Sequence, residues 1–181
     1  IFADSEKHFK PLTKQIKTDS LGVEEPKNPE GCNVFSLYRL VALFGWDDLL
    51  ATHISVRLPG TRPEFLINPL GLLFEEITAS SLVKVDLDGR VLETRPVEIN
   101  PAGFTIHSAV HAARPDAHCV IHLHTVPGIA VSSQAQGLLP LNQTAMLMNG
   151  RLAYHDYEGI ALDLPFHHGE MEILAGWQEL T

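Results

Sequence analysis

Only two cysteines, Cys32 and Cys119, are present, and their spacing is not the Cys-x-x-Cys of a redox or zinc-ribbon site. A framework of disulfide bonds, which many small secreted proteins use in place of a large core, is therefore excluded. No run of residues approaches the roughly 20 apolar residues of a membrane span, and the first residues lack the apolar centre of a signal peptide. These absences predict a cytoplasmic protein that has no membrane partner.

Basic residues are also scarce, since 13 Lys and Arg stand against 22 Asp and Glu, which gives a formal charge of −9. Binding of nucleic-acid phosphates needs clustered Lys and Arg, so we expect no nucleic-acid partner. The 181 residues are 45% hydrophobic, which is enough for one globular domain with a substantial core. The chain does not begin with Met, and we expect it to be part of a longer encoded protein.

The sequence divides into an arm and a domain. Residues 1–31 mix charged residues and prolines without an apolar period, which predicts an extended N-terminal arm. The domain is expected to span residues 32–181, with an omission after residue 163 left open. Its first element is a helix, because apolar residues recur at helical spacing from Val34 to Phe44. Strands are expected at residues 53–58 and 64–67, followed by a hairpin whose arms, residues 82–86 and 90–92, flank Asp88-Gly89.

A second helix and a buried strand follow. Pro101 to Arg114 carries apolar residues at helical spacing, and Pro115 ends the pattern. The apolar run from His118 to His124 lies between two turns and predicts a buried strand. Helices and strands thus alternate as in an α/β layered domain, and the hairpins predict a mixed or antiparallel sheet.

Two histidines of this last strand are candidate metal ligands. His122 and His124 are two residues apart, so a strand places both imidazoles on one face. Neutral imidazole binds zinc and similar divalent metals well, but a pair of ordinary hydrogen-bonded histidines is an open alternative. His107 and His111 lie four apart on the preceding helix without the Glu of a metalloprotease motif, which favours helix packing or hydrogen bonding behind a site.

Several motifs, in a fixed order from about Val34 to Asp163, resemble the class II aldolase/adducin family. The resemblance implies a three-layer α/β/α sandwich around a central mixed, largely antiparallel sheet, and a homotetramer with zinc at a subunit interface. The motifs are Leu37-Tyr38-Arg39-Leu40-Val41-Ala42, Thr52-His53-Ile54-Ser55-Val56-Arg57, Phe65-Leu66-Ile67-Asn68-Pro69-Leu70-Gly71, Asn100-Pro101-Ala102-Gly103-Phe104-Thr105-Ile106-His107, Arg114-Pro115-Asp116-Ala117 and His122-Leu123-His124-Thr125.

The same resemblance implies a metal-ligand set. Family aldolases hold zinc, or another divalent metal, with both histidines of the His-x-His pair, here His122 and His124, and with a third from a later His-His-Gly segment. That segment corresponds to His167-His168-Gly169, which makes His168 the expected third ligand. The residues after it depart from the family pattern. Either the chain omits a stretch near residues 163–166, or the third ligand lies outside it.

Catalytic and substrate-binding residues also follow from the resemblance. The acid/base Glu of the family aldolases is replaced here by Gly103, so we expect no standard sugar-phosphate aldolase. Family epimerases use an Asp and a Tyr, which makes Asp156 and Tyr157 candidates for proton transfer, although a packed turn is an equal alternative. Asn68 and Gly71 stand where the family has a loop near the substrate phosphate, a sequence that also makes an ordinary turn.

Two functions from different classes remain. One is a metal-dependent lyase or isomerase acting on a small hydroxy-carbonyl compound, which the His-x-His pair favours. The other is a catalytically inactive, adducin-like interaction module, which the missing Glu favours. We expect the first.

Overall fold

A computed structural model describes the backbone of residues 29–155 and the side chains of residues 34–155. No helix among these residues is long and apolar enough to cross a membrane. The elements in chain order are α1 Pro29–Leu43, β1 His53–Arg57, β2 Glu64–Ile67, a 3₁₀ turn at Phe74–Glu76, β3 Val83–Asp86, α2 Pro101–Ala113, β4 Cys119–His122, α3 Val126–Ser132 and α4 Gln143–Leu147.

The four strands form one sheet in the order β3-β2-β1-β4, and every pairing among them is antiparallel. In the pairing of β1 with β4, at one edge of this sheet, His53 of β1 lies opposite His122 of β4, and Ile54 lies opposite Ile121. Because side chains alternate between the two faces of a sheet, this register puts both histidines on one face and both isoleucines on the other. The expected largely antiparallel sheet is confirmed.

Helix α1 covers the isoleucine face. Tyr38 of α1 is fully buried with Ile54, and its ring meets the edge of Phe74 at a centroid distance of 4.7 Å. The Tyr38 hydroxyl hydrogen-bonds the carbonyl oxygen of Ile54 and lies 2.9 Å from Oδ1 of Asn68. Burial raises the pKa of Tyr38 well above its usual value, so the hydroxyl stays protonated. This contact ties α1 to β1 and to the end of β2.

Helix α2 covers the opposite face and completes three layers. Phe104 of α2 packs beside Phe65 and the valines of β3, while Val110 packs against Val120 of β4. The N-terminus of α2 is fixed by Asn100, whose side chain accepts hydrogen bonds from the backbone of the first turn. Helices on both faces of an antiparallel sheet confirm the expected α/β/α sandwich, and α2 lies over the face that carries the histidines.

The structure differs from the sequence-based expectations at three places. Helix α1 begins at Pro29, three residues before the expected domain boundary, and proline suits the first helical position. The expected turn forms, with Gly89 at a φ of 81°, but the second arm of the hairpin is reduced to one bridge between Val85 and Val91. Strand β4 ends at His122 rather than His124, because β1 begins at His53 and offers no partner beyond it.

Candidate metal centre

The two predicted metal ligands are brought together at the end of β4. The Nε2 atoms of His122 and His124 lie 2.9 Å apart, and their rings meet edge to face at 4.8 Å between centroids. Both side chains are partly buried. On the other side of the strand, Ile121 and Leu123 pack against the core beneath α1. The alternation inferred from the sequence therefore places both imidazoles on one face, as expected.

A carboxylate stands behind His124. The Nδ1 atom of His124 lies 2.9 Å from Oδ2 of Asp48, in the turn between α1 and β1. The backbone of Asp48 in turn donates to the Thr52 hydroxyl, 3.2 Å away, which holds this turn beside β1. A ring nitrogen bound to a carboxylate orients the other nitrogen and increases its basicity, an arrangement common behind metal-bound histidines. Asp48 therefore leaves Nε2 of His124 as the nitrogen available to a ligand.

A third histidine, which sequence reasoning missed, completes the cluster. His53 is only 2% exposed, and its ring stacks on His122 at a centroid distance of 4.6 Å with an interplanar angle of 12°. Its signal in the sequence was the alternation of His53 and Ser55 with apolar neighbours, which indicates that both face one side of a strand. That signal cannot show that His122 lies opposite, since the pairing joins distant parts of the chain.

His53 is the outer end of a buried hydrogen-bonded chain that runs between β1 and α2. Its Nδ1 lies 2.8 Å from Nε2 of His107, and Nδ1 of His107 lies 2.6 Å from the Ser55 hydroxyl. The same hydroxyl lies 2.8 Å from Nε2 of His111. All four side chains are almost wholly buried. The expected packing and hydrogen-bonding role of His107 and His111 is thus what the structure shows.

Burial keeps these imidazoles uncharged. It lowers the pKa of His53 to about 3, with a smaller contribution from the neighbouring His122. Burial likewise lowers the pKa of His122 to about 4 and that of His111 to about 4, and it holds the pKa of His107 well below the usual value. Near neutral pH His53, His107, His111 and His122 are therefore neutral, which is the form of histidine that binds metals.

Gly103, which replaces the expected acid/base Glu, lies directly against His53. A Cβ atom at residue 103 would stand 2.7 Å from Cδ2, 2.9 Å from Cγ and 3.0 Å from Nε2 of the His53 ring. These distances are shorter than real Cβ contacts, and the obstacle is a buried ring rather than the end of a flexible side chain. The ring of His53 thus fills the space that any side chain at residue 103 would enter.

The other predicted site residues have different outcomes. Asn68 is buried, and its Oδ1 is occupied by the Tyr38 hydroxyl and, at 3.4 Å, by the backbone nitrogen of Ile54. Gly71 is exposed with a φ of 94°, a left-handed conformation that favours glycine. Their expected contact with substrate stays a prediction. The predicted residues Asp156, Tyr157 and His168 lie outside the described residues.

The described donors fit a divalent metal only in part. Among the side chains of residues 34–155, no three His, Cys, Asp or Glu residues are arranged to hold a metal ion as they stand. The pair His122 and His124 nevertheless fits a divalent metal, because the Nε2 atoms of two imidazoles lie side by side and Asp48 orients one of the rings. The described residues therefore supply two imidazole ligands, and a complete metal site would need at least one more ligand.

Comparison with known proteins decides the family. A family model described as "Class II Aldolase and Adducin N-terminal domain" matches residues 32–170. The chain belongs to this family. It is 66% identical over 129 residues to a Caulobacter vibrioides protein named "Putative aldolase class 2 protein", which covers 71% of this chain and 50% of that protein. It is also 46% identical over 155 residues to rat alpha-adducin, covering 84% of this chain and 21% of adducin.

Solved structures agree with the fold. An aldolase II superfamily protein from Pseudomonas syringae is 51% identical with a TM-score of 0.75, covering 84% of this chain and 61% of that chain. An L-fuculose 1-phosphate aldolase from Glaciozyma antarctica is 34% identical with a TM-score of 0.65, covering 74% and 56%. The chain spans about half the length of the bacterial relatives that it matches, so the activity of a whole protein is a matter for proposal.

The neutral histidines predict how stability depends on pH. Because their folded pKa values lie below the ordinary value of about 6.5, the unfolded chain binds more protons as the pH falls below that value. The free energy of unfolding should therefore be constant above about pH 7 and fall towards pH 5, by up to about 1.4 kcal/mol per pH unit for each histidine. Urea unfolding with a chelator present measures this slope.

The substitution His107→Gln removes one of these groups and should reduce that slope, whatever it does to stability at neutral pH. The window above pH 5 separates the histidines from the carboxyl groups, whose ordinary pKa values are near 4. A free energy of unfolding that is the same at pH 7 and pH 5 contradicts the assignment of neutral buried imidazoles.

The contact between Gly103 and His53 predicts a substitution whose effect changes sign with its background. In the wild type, Gly103→Ala should destabilise by about 1–3 kcal/mol, as overpacking does, although alanine normally gains up to about 1 kcal/mol over glycine in a helix. In a His53→Ala background the same substitution should be neutral or stabilising. Urea unfolding of the four proteins of this double-mutant cycle measures the coupling, and additive effects would show that the ring does not fill this space.

Proposed function

We propose that this protein is a metal-dependent lyase or isomerase that acts on a small hydroxy-carbonyl compound, outside the standard sugar-phosphate aldolases. The observation that carries the proposal is the pair of imidazoles of His122 and His124, which lie side by side with Asp48 behind one of them. Zinc, or another divalent metal, is the proposed cofactor, and His168 is the third ligand that the family pattern implies. The names of the bacterial relatives support an aldolase-like enzyme.

The chemistry assigns a task to each residue. A divalent metal at this site would polarise a carbonyl group and stabilise the negative charge that develops when a neighbouring carbon–carbon or carbon–hydrogen bond breaks. His122 and His124 bind through Nε2, and Asp48 keeps His124 in orientation. Gly103 has no side chain to move a proton, so that task falls to Asp156 or Tyr157. Asn68 and Gly71 would help to bind the substrate, the former through its amide group.

The assembly proposed for this protein is a homotetramer in the cytoplasm, with small-molecule carbonyl substrates and no nucleic-acid or membrane partner. Several apolar side chains are exposed on the described part of the chain and are available to a contact between subunits. The most exposed of them are Val126, Leu141, Leu43, Leu49 and Leu147.

A second candidate, an adducin-like interaction module without catalysis, is favoured by one specific observation. The identity to alpha-adducin extends over 84% of this chain, more than the 71% covered by the Caulobacter protein, although at lower identity. Retention of two side-by-side imidazoles with an oriented ring nitrogen favours the enzyme. Metal content separates the two candidates, since the interaction module has no need of a metal.

Purified wild-type protein should contain a divalent metal in stoichiometric amount, and the double variant His122→Ala/His124→Ala should lose it, because both donors of the pair are removed. Elemental analysis after gel filtration gives the metal content. The matched control is His118→Ala, which removes an exposed histidine near the start of β4 and should leave the metal content unchanged. Wild-type occupancy in the double variant would contradict the assignment.

Cleavage of fuculose- and rhamnulose-type sugar phosphates should be slow in the wild type, at least about 10²-fold slower than in a family aldolase that carries the Glu, since general acid/base catalysis contributes about 10²–10⁴-fold. The Glaciozyma L-fuculose 1-phosphate aldolase serves as the reference enzyme in a parallel assay. Other hydroxy-carbonyl compounds should show turnover that a chelator abolishes. Efficient metal-dependent cleavage of these sugar phosphates by the wild type would falsify the proposal that Gly103 marks a departure from this chemistry.

A further inference from the structure

The buried chain from His53 to His111 holds one hydrogen more than its contacts can use. The contacts join Nδ1 of His53 to Nε2 of His107 at 2.8 Å, Nδ1 of His107 to the Ser55 hydroxyl at 2.6 Å, and that hydroxyl to Nε2 of His111 at 2.8 Å. A neutral imidazole carries a hydrogen on one of its two nitrogens, and a hydroxyl carries one. Four groups thus bring four hydrogens to three contacts, and the place of the remaining hydrogen fixes the tautomer of every ring.

The remaining hydrogen has three possible places, which are Nδ1 of His111, the Ser55 hydroxyl and Nε2 of His53. On Nδ1 of His111 it would be enclosed, because this atom is buried without a partner. On the Ser55 hydroxyl it would also be enclosed, since Ser55 is fully buried and its oxygen already meets both rings. Nε2 of His53 is not among the buried side-chain atoms that lack a partner. Because an enclosed, unpaired donor costs free energy, the hydrogen is best placed on His53.

The surroundings of His111 favour the same arrangement. The guanidinium of Arg57 donates to the carbonyl oxygen of His111, and Nε of Arg57 is the other buried atom without a partner. Since Nε of Arg57 carries a hydrogen, a lone pair on Nδ1 of His111 is complementary to it, whereas a second hydrogen is not. Burial and then the positive charge of Arg57 lower the pKa of His111. The carbonyl of Ala117 raises this pKa by less, and it accepts no hydrogen bond from Nδ1.

We propose that the hydrogen bonds run from His111 to His53, with the hydrogen of each imidazole on Nε2, and that His53 positions the ring of His122 without binding the metal. In this arrangement Nδ1 of His53 accepts from His107 and Nε2 carries a hydrogen, so the ring has no lone pair left for a metal. Accordingly, no three side chains among residues 34–155 are arranged to hold a metal ion. The positioning role rests on the proposed function, whereas the direction of the hydrogen bonds does not.

The ring of His53 is fixed from behind and supports His122 in front. His107 holds its Nδ1, and the backbone of Gly103 is so close that a Cβ atom there would stand 2.7 Å from Cδ2 of the ring. Its face stacks on His122 with 4.6 Å between centroids and an interplanar angle of 12°. A ring that cannot turn limits the rotation of the ring stacked on it. The buried chain therefore orients one metal ligand through its last member, as groups behind metal-bound histidines do.

The first test determines the tautomers in the metal-free wild type. In the full chain labelled with ¹⁵N at histidine, long-range ¹H–¹⁵N correlation at neutral pH should show a hydrogen on Nε2 and none on Nδ1 in His53, His107 and His111. The exposed His118 is the control, because an imidazole in contact with water should show averaged signals of both tautomers. A hydrogen on Nδ1 of any of the three buried rings overturns the proposed direction.

The second test measures positioning in the variant His53→Gln, which keeps an oxygen that can accept from His107 but has no ring to stack on His122. Zn²⁺ affinity, measured by competition with a chelator, should fall by about 10–100-fold, as for loss of a group behind a metal ligand. The visible spectrum of bound Co²⁺ should keep its band positions, because the ligands are the same. The control His118→Gln should change neither. Unchanged affinity in His53→Gln overturns the positioning role, and shifted Co²⁺ bands overturn the exclusion of His53 from the ligands.

The outcomes separate this inference from the proposed function. A wild type that binds neither Zn²⁺ nor Co²⁺ overturns the proposed function and the positioning role together, whereas the tautomers are measured without a metal. A wild type that binds metal but carries a hydrogen on Nδ1 of His53 overturns this inference and leaves the metal-dependent function in place.

Discussion

The antiparallel pairing of β1 with β4 is the constraint on which the candidate site depends. The register that places Ile54 opposite Ile121, against the core beneath α1, also places His53 opposite His122 on the other face. A shift of one residue in this pairing would turn the isoleucines towards α2 and the histidines into the apolar core. The free energy of folding would suffer, because polar rings would then be buried among apolar side chains. The hydrophobic core beneath α1 therefore fixes the position of the histidines even though it does not touch them.

The face beneath α2 is unusual because it buries polar rings where the other face buries hydrocarbon. An unpaired buried polar group costs about 1–3 kcal/mol, so four such side chains would be expensive as isolated groups. The chain from His53 through His107 and Ser55 to His111 reduces this cost by pairing all of these polar atoms that face one another, and leaves Nδ1 of His111 as the buried nitrogen without a partner. The same chain fixes ring orientations, which is why a polar interior at this position is also an ordered one.

The sequence alone predicted those parts that depend on local patterns. Helix α2, the alternation along β4 and the convergence of His122 with His124 all follow from periods of about 3.6 or 2 residues. The roles of His53 and Asp48 could not be predicted in this way, since each meets its partner only through pairing of β1 with β4 or packing of a distant turn. The end of β4 was also missed, because the length of a strand depends on its partner.

Gly103 shows how a local reading of a site can be incomplete. In sequence, a glycine in place of an acid/base Glu is a simple loss of function. In the fold, the same position is in contact with the ring of His53, and a side chain at residue 103 and that ring exclude each other. The residue types at positions 53 and 103 are therefore coupled, because the size of one side chain limits the size of the other. A protein with an imidazole packed in this way at residue 53 has no room for a side chain at residue 103, so any proton transfer beside His122 and His124 must come from a residue other than 103.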